Sequence, residues 1–177
     1  YKRQTVVRPT YIIGPGDHTD RFTWWAHRAH QGGDMVGPAH PEVAVAGVDA
    51  RDMCPWIITL AENDTPGAFN AAGPAYTRES FLWAIRGSYG GELTIHWPSP
   101  ELAEELELPQ PMMDWGTDSN WFPNAASREA GLDYRPLADS AKDTVEWFAG
   151  LDEERRKNAR GWPTPEQEAK ALERTRG

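Results

Sequence analysis

Val6-Val7-Arg8-Pro9-Thr10-Tyr11-Ile12-Ile13-Gly14-Pro15-Gly16-Asp17 is the stretch on which the fold turns. With Thr5 in front of it, a β-branched and apolar run reaches Ile13 and stops at Gly-Pro-Gly-Asp, the pattern of a buried strand closed by a tight turn. Pro9 has no N–H for a ladder, so the second half of the run is expected to be bulge or loop. Arg8 lies inside that apolar run and needs a partner if buried. Asp49 or Asp52 is the expected one.

Downstream of the turn, helical and strand-like segments alternate. Phe22, Trp25 and Ala29 fall at i, i+3 and i+7, which predicts a helix over Thr19 to Gln31 with Gly32-Gly33 as its stop. Val43 to Val48 reads as a short strand. Asp52 reads as a helix N-cap, with Pro55 tolerable in the first turn and Met53, Trp56, Ile57 and Leu60 on the apolar face. Ala68 to Pro74 reads as strand or turn, and Thr77 opens a helix through about Ser88. Leu93 to Trp97 is a further strand, followed by an acidic helix (PELAEELEL) and a loop rich in Pro, Met and Trp. A short helix over Asn124 to Gly131 and a longer one over Leu137 to Phe148 complete the body. A capping box at Thr164 and Gln167, with Pro165 between them, opens the last helix.

The composition bounds what such a chain does. Its 177 residues are 39% hydrophobic and 25% charged, which suits one soluble globular domain with a core of its own. A formal charge of -9 argues against nucleic acid as a partner, because binders of phosphate backbones carry a basic stripe. No apolar run is long enough for a membrane span. A lone Cys54 forms no intrachain disulfide and is expected to be a small buried residue; the cytoplasm is the expected location. The last 27 residues hold six acids and seven bases and read as a surface helical tail over 151–177, set apart from a body over 1–150. Only three or four short strands are available, which is thin for a complete parallel sheet. Together with Tyr1 as first residue and Met35 as first methionine, this gives the expectation that part of the domain is encoded upstream.

Four strings in order carry a resemblance: VVRPTYIIGPGD, then VAGVDARDM, then GAFNAAGP, then GLDYRPLADSAKDTVEWF. The chain resembles the C-terminal, substrate-binding half of extended short-chain dehydrogenase/reductases, the NAD-dependent epimerase/dehydratase family. There the sixth strand carries R-P-x-x-x-x-G-P, a V-x-D-x-x-D segment leads into a helix, and G-x-[FY]-N-x-x-G follows. The resemblance implies an α/β fold: the last strands of an incomplete Rossmann-like sheet, plus a mostly helical C-terminal substrate-binding lobe. It implies NAD or NADP as cofactor and a small-molecule substrate. The glycine-rich turn that cradles the pyrophosphate and the catalytic Tyr-x-x-x-Lys pair have no counterpart in the sequence. A counterpart of those parts would take on the order of 150 residues of chain. The implied function is hydride transfer at a small hydroxy or keto compound by a parent enzyme, with this chain inactive alone. Its completing partner is then an N-terminal Rossmann portion or another chain, with a homo-oligomer as a further expectation. The rival reading is a non-catalytic binding or assembly module built on the same fold.

Position by position, the resemblance implies that Pro9 and Thr10 pass beside the nicotinamide and that Tyr11 faces the reacting carbon. It puts Arg21 where a substrate phosphate is held in related enzymes. Those enzymes carry a second arginine before the V-x-D segment, and Val43 to Gly47 offers no base, which points away from a nucleotide-sugar diphosphate. Trp24 and Trp25 are candidate pocket walls for an apolar substrate, with one of them expected to pack the core. Helix capping accounts for Asp52 better than catalysis does. His27 and His30, at i and i+3, could share a metal with Asp17 or His18, but no second motif supports one and none is assigned. Met112, Met113, Trp115, Trp121 and Phe122 read as core or interface filling rather than a ligand site.

Overall fold

Thr10 divides the opening run in two. The computed structural model, which describes residues 4–87, 89–113 and 117–175, has β1 (Thr5–Pro9) and β2 (Tyr11–Ile13) on either side of it. Helix α1 (Arg21–Gln31) follows, then β3 (Gly33–Val36), β4 (Ala44–Val45), β5 (Gly47–Asp49), α2 (Ala50–Glu62), β6 (Gly67–Ala71), β7 (Tyr76–Thr77) and α3 (Arg78–Arg86). The chain continues through β8 (Leu93–His96), α4 (Pro100–Glu105), α5 (Ala125–Glu129), α6 (Leu137–Ala149), α7 (Glu153–Lys157) and α8 (Pro165–Thr175). Strand β1 pairs in parallel with β6, β2 with β5 and β3 with β8, while β4 and β7 are antiparallel. This is a mixed α/β architecture of short, mainly parallel strand pairs among helices.

The apolar stripes of α1, α3 and α6 meet in the main core. Phe22, Trp25, Phe81, Leu82, Ile85 and Val145 pack there with Met35, Met112 and Met113. A second core lies between α2 and the β5 and β6 strands, where Val48, Met53, Trp56, Leu60 and Phe69 meet Leu132. Thr77 caps α3 by accepting from Ser80 N, and Thr164 and Gln167 form the reciprocal capping box.

Several expectations are corrected. Strand β1 is exposed over most of its length rather than buried, and Arg8 is exposed with it. Arg8 therefore needs no buried carboxylate. Asp49 and Asp52 bind Arg51 and Arg135 instead. The second half of the opening run is not loop: Tyr11 to Ile13 pair with β5, a neighbour different from that of β1. Asp49, not Asp52, caps α2, because β5 ends there and its carboxylate accepts from Arg51 N. Pro55 consequently sits inside the helix. Cys54 lies on the outer face of α2 and is exposed. Gly32 alone caps the end of α1, and Gly33 begins β3. The tail does carry two helices, but it is more than a surface appendage. Ala171 is fully buried in a cluster with Val36 and Ala103, and Arg28 of α1 donates its Nε–H to both carboxylate oxygens of Glu168. Tyr1, Lys2, Ser88 and Trp115 lie outside the described residues.

Candidate functional site

A cavity of about 420 Å3 opens where β2 ends. Residues Thr10 to Thr19 line most of it, with Arg21 and Ala50 completing the wall. The turn between strand and helix gives it its shape. Gly14 and Gly16 have φ of 109° and 90°, a backbone that side-chain-bearing residues rarely adopt. At Gly14 there is also no room: a Cβ would lie 2.9 Å from both oxygens of Asp49.

Asp49 is fixed from several directions. It accepts from the Arg51 amide at 2.9 Å, from the Arg51 guanidinium at 2.9 and 2.7 Å, and from Ser140 Oγ at 2.7 Å. Arg51 in turn binds Asp143 at 2.6 Å. Burial pushes the Asp49 carboxyl up, but the donors of Arg51 and Ser140 outweigh it and hold the group below its ordinary value. An ionised Asp49 thus joins the end of β5, the start of α2 and helix α6 behind the turn.

Asp17 carries the other end. Residue Asp20, at the formal cap position of α1, has a left-handed backbone and its side chain makes no capping bond. Asp17 takes over that role. It accepts from Thr19 N, Phe22 N and Thr23 N at 3.1, 2.9 and 3.2 Å, and from the hydroxyls of Thr19 and Thr23. Both carboxylate oxygens are engaged, which makes Asp17 a helix cap rather than a proton carrier.

Two groups on the wall remain available to a ligand. Arg21 is exposed and lies over the Tyr11 ring, with Cζ 5.5 Å from the ring centroid. Its Nε donates to Thr19 Oγ1 at 3.2 Å, and among the described residues no carboxylate pairs with it. Thr10 Oγ1 is buried and has no hydrogen-bond partner among the described residues, while its amide donates to Ala71 O. Such a hydroxyl is costly to leave unsatisfied. Tyr11 also walls a second, smaller recess of about 110 Å3, lined by Val45, Met112, Met113 and Asn120 among others. Asn120 fixes that recess by bonding both the N–H and the C=O of Ala46.

The sequence-derived candidates separate cleanly. Thr10, Tyr11 and Arg21 come together on one wall. Pro9 ends β1, is exposed, and stands outside the cavity lining. Trp24 and Trp25 do not line the cavity. Both are buried in the main core, Trp24 against the Trp162 ring and Trp25 with its Nε1 donating to Pro111 O. His27 stacks on Trp162 and His30 lies against Tyr89, so the two rings look into different aromatic surroundings. Met112 and Met113 are core residues, Trp121 is half-buried and Phe122 is exposed. Ser140 and Asn120 were not legible as site-shaping residues, since each acts through a partner 91 or 74 positions away. The Asp-x-Thr spacing at Asp17 and Thr19 was the local sign of the capping turn.

No protein-family model matches the sequence. No curated protein sequence matches it either. Solved structures do. A GDP-L-fucose synthetase from Naegleria fowleri superposes with a TM-score of 0.57 at 15% identity, over 88% of this chain and 48% of its own. RMD from Pseudomonas aeruginosa, complexed with NADPH, gives 0.56 at 15% identity over 84% and 49%. The UDP-glucose 4-epimerase of Thermotoga maritima, with UDP-glucose, gives 0.53 at 17% over 82% and 45%. The chain shares its fold with these three proteins. It spans about half the length of the structures it matches, and the likeness is one of fold. No helix among the described residues is long and apolar enough to cross a membrane.

Proposed function

We propose that this chain is the substrate-binding half of an NAD(P)-dependent reductase or epimerase that acts on a small hydroxy or keto compound in the cytoplasm. The observation that carries the reading is the buried hydroxyl of Thr10 on the lining of the 420 Å3 cavity, which has no hydrogen-bond partner among the described residues, together with Arg21 on the same lining, with which no carboxylate pairs among the described residues. In open α/β sheets, ligands bind beyond the carboxyl ends of the strands, which is where the cavity opens. The NADPH complex of RMD, a structure of the same fold, supports a nicotinamide cofactor.

A bound nicotinamide cofactor supplies hydride transfer to or from a carbinol carbon. The residues present fit its nicotinamide end alone: Thr10 would offer it a hydroxyl with no other partner among the described residues, and Pro9 would keep the chain extended on the approach. Tyr11 presents an apolar face to the substrate, and Arg21, held over that ring, binds a carboxylate or other anionic substituent. Gly16, with nothing within 4 Å of where a Cβ would stand, leaves open space on the lining. The phosphate-cradling turn and the tyrosine-lysine pair belong to the proposed remainder, so the chain by itself is inactive. The outer edge of β1 supports where that remainder joins, because among the described residues β1 pairs only with β6.

Nicotinamide mononucleotide tests this reading. Titrated into the isotopically labelled chain, it is expected to shift the amides of residues 10–16 and 21, and Thr10→Val is expected to remove the response. Shifts absent from those residues overturn the proposal. A second reading, a non-catalytic assembly module, draws on the exposure of β1. Self-association through β1, seen by light scattering and without nucleotide affinity, would favour it.

A further inference from the structure

Asp20 is wholly buried, yet neither the cavity nor the cap of α1 uses its side chain. Its partners come instead from the far end of the sequence. Arg155 grips the carboxylate with both terminal nitrogens, at 3.0 and 2.6 Å, and the Arg160 amide donates to it at 2.8 Å. Trp162 Nε1 donates to the Asp20 carbonyl at 3.0 Å. The Trp162 ring is held in turn against Trp24, His27 and Phe148. Arg155 is itself placed by α7, whose cap Asp152 accepts from the Arg155 amide.

Asp20 is the hinge residue between the cavity rim and α1. Its φ of 59° is a left-handed value, uncommon for residues with a side chain though Asp adopts it more readily than most. Immediately before it lie Asp17, His18 and Thr19, and immediately after it Arg21, all on the cavity wall. We infer that Asp20 is a positioning residue through which segment 155–162 of the tail sets the shape of the cavity rim. The rim is thereby fastened at two points: at Gly14 against Asp49, and at Asp20 against the tail. Arg155 also interacts electrostatically with Asp17 on the lining, three residues before Asp20. Substitutions in the tail are expected to change the cavity without removing any group from its wall.

Hydrogen exchange followed by mass spectrometry on the full chain tests this without any ligand. In Arg155→Ala, amides of residues 17–24 are expected to exchange about tenfold faster. Residues 33–36 and 93–96, which pair as β3 and β8, are expected to stay at the wild-type rate. Arg155→Lys keeps the charge but cannot make both bonds, and an intermediate, equally selective increase is expected. Unchanged exchange over 17–24, or an increase spread evenly over both regions, would overturn the inference. If the alanine variant does not fold, the lysine variant is read by the same criterion.

Discussion

Gly14 and Asp49 meet so closely that a methyl group on the glycine would stand 2.9 Å from both carboxylate oxygens. The contact links the turn after β2 to the cap of α2, and both partners resist change. Gly14→Ala adds a clash with a carboxylate held by Arg51 and Ser140 to a backbone at φ 109°. A loss of roughly 1–3 kcal/mol is expected from urea unfolding.

Asp49 also gives the protein an acid-side sensitivity. Its folded-state carboxyl lies below its ordinary value, so its ion pairs stabilise the fold fully above the unfolded value of about 3.9. That contribution is lost as pH falls through the lower folded value. Thermal melts from pH 6 to pH 2 are expected to fall steeply for the natural chain. Asp49→Asn is expected to be less stable at pH 7, with a shallower decline on acidification.

Arg21 tests the site separately from the fold. Its side chain is exposed, and its contacts are the Tyr11 ring and Thr19 Oγ1. Arg21→Ala is expected to change stability by no more than about 0.5–1 kcal/mol. Affinity for a small carboxylate-bearing ligand, read by calorimetry, is expected to drop by about tenfold or more, the loss of one charge-assisted bond.

The exposed Cys54 makes a chemical check of the α2 orientation. One thiol equivalent is expected to react with a disulfide reagent in the native chain at a rate close to that in denaturant. Slow reaction that accelerates only on unfolding would show that this face of α2 is covered.

What was legible in the sequence was what local chemistry decides. The Gly-Pro-Gly-Asp stop, the Thr77 cap and the Thr164–Gln167 capping box each involve neighbours within a few residues, and the structure has all three. Residues Thr10, Tyr11 and Arg21 gather at one wall because a single turn carries them. Trp24 and Trp25 did not follow, because a helical apolar stripe says that a face is covered and not by what. Here the cover is the tail and the loop at Pro111. The partner of Asp20 lies 135 residues away, and no periodicity encodes a pairing at that distance. Strand β3 escaped notice because its first residue, Gly33, directly follows the helix-capping Gly32 and reads with it as one stop, and four residues carry too little alternation to read.

The change of partner at Thr10 bears on how this segment tolerates insertion and deletion. On one side five residues are registered with β6, and on the other three are registered with β5. Removing a single residue between them cannot be absorbed by sliding, because the two neighbours are different strands with independent registers. The slip would instead turn Tyr11 through one pleat, carrying its ring from the cavity wall to the opposite face. Length, as well as side-chain identity, is what the chain must keep constant between Pro9 and Gly14.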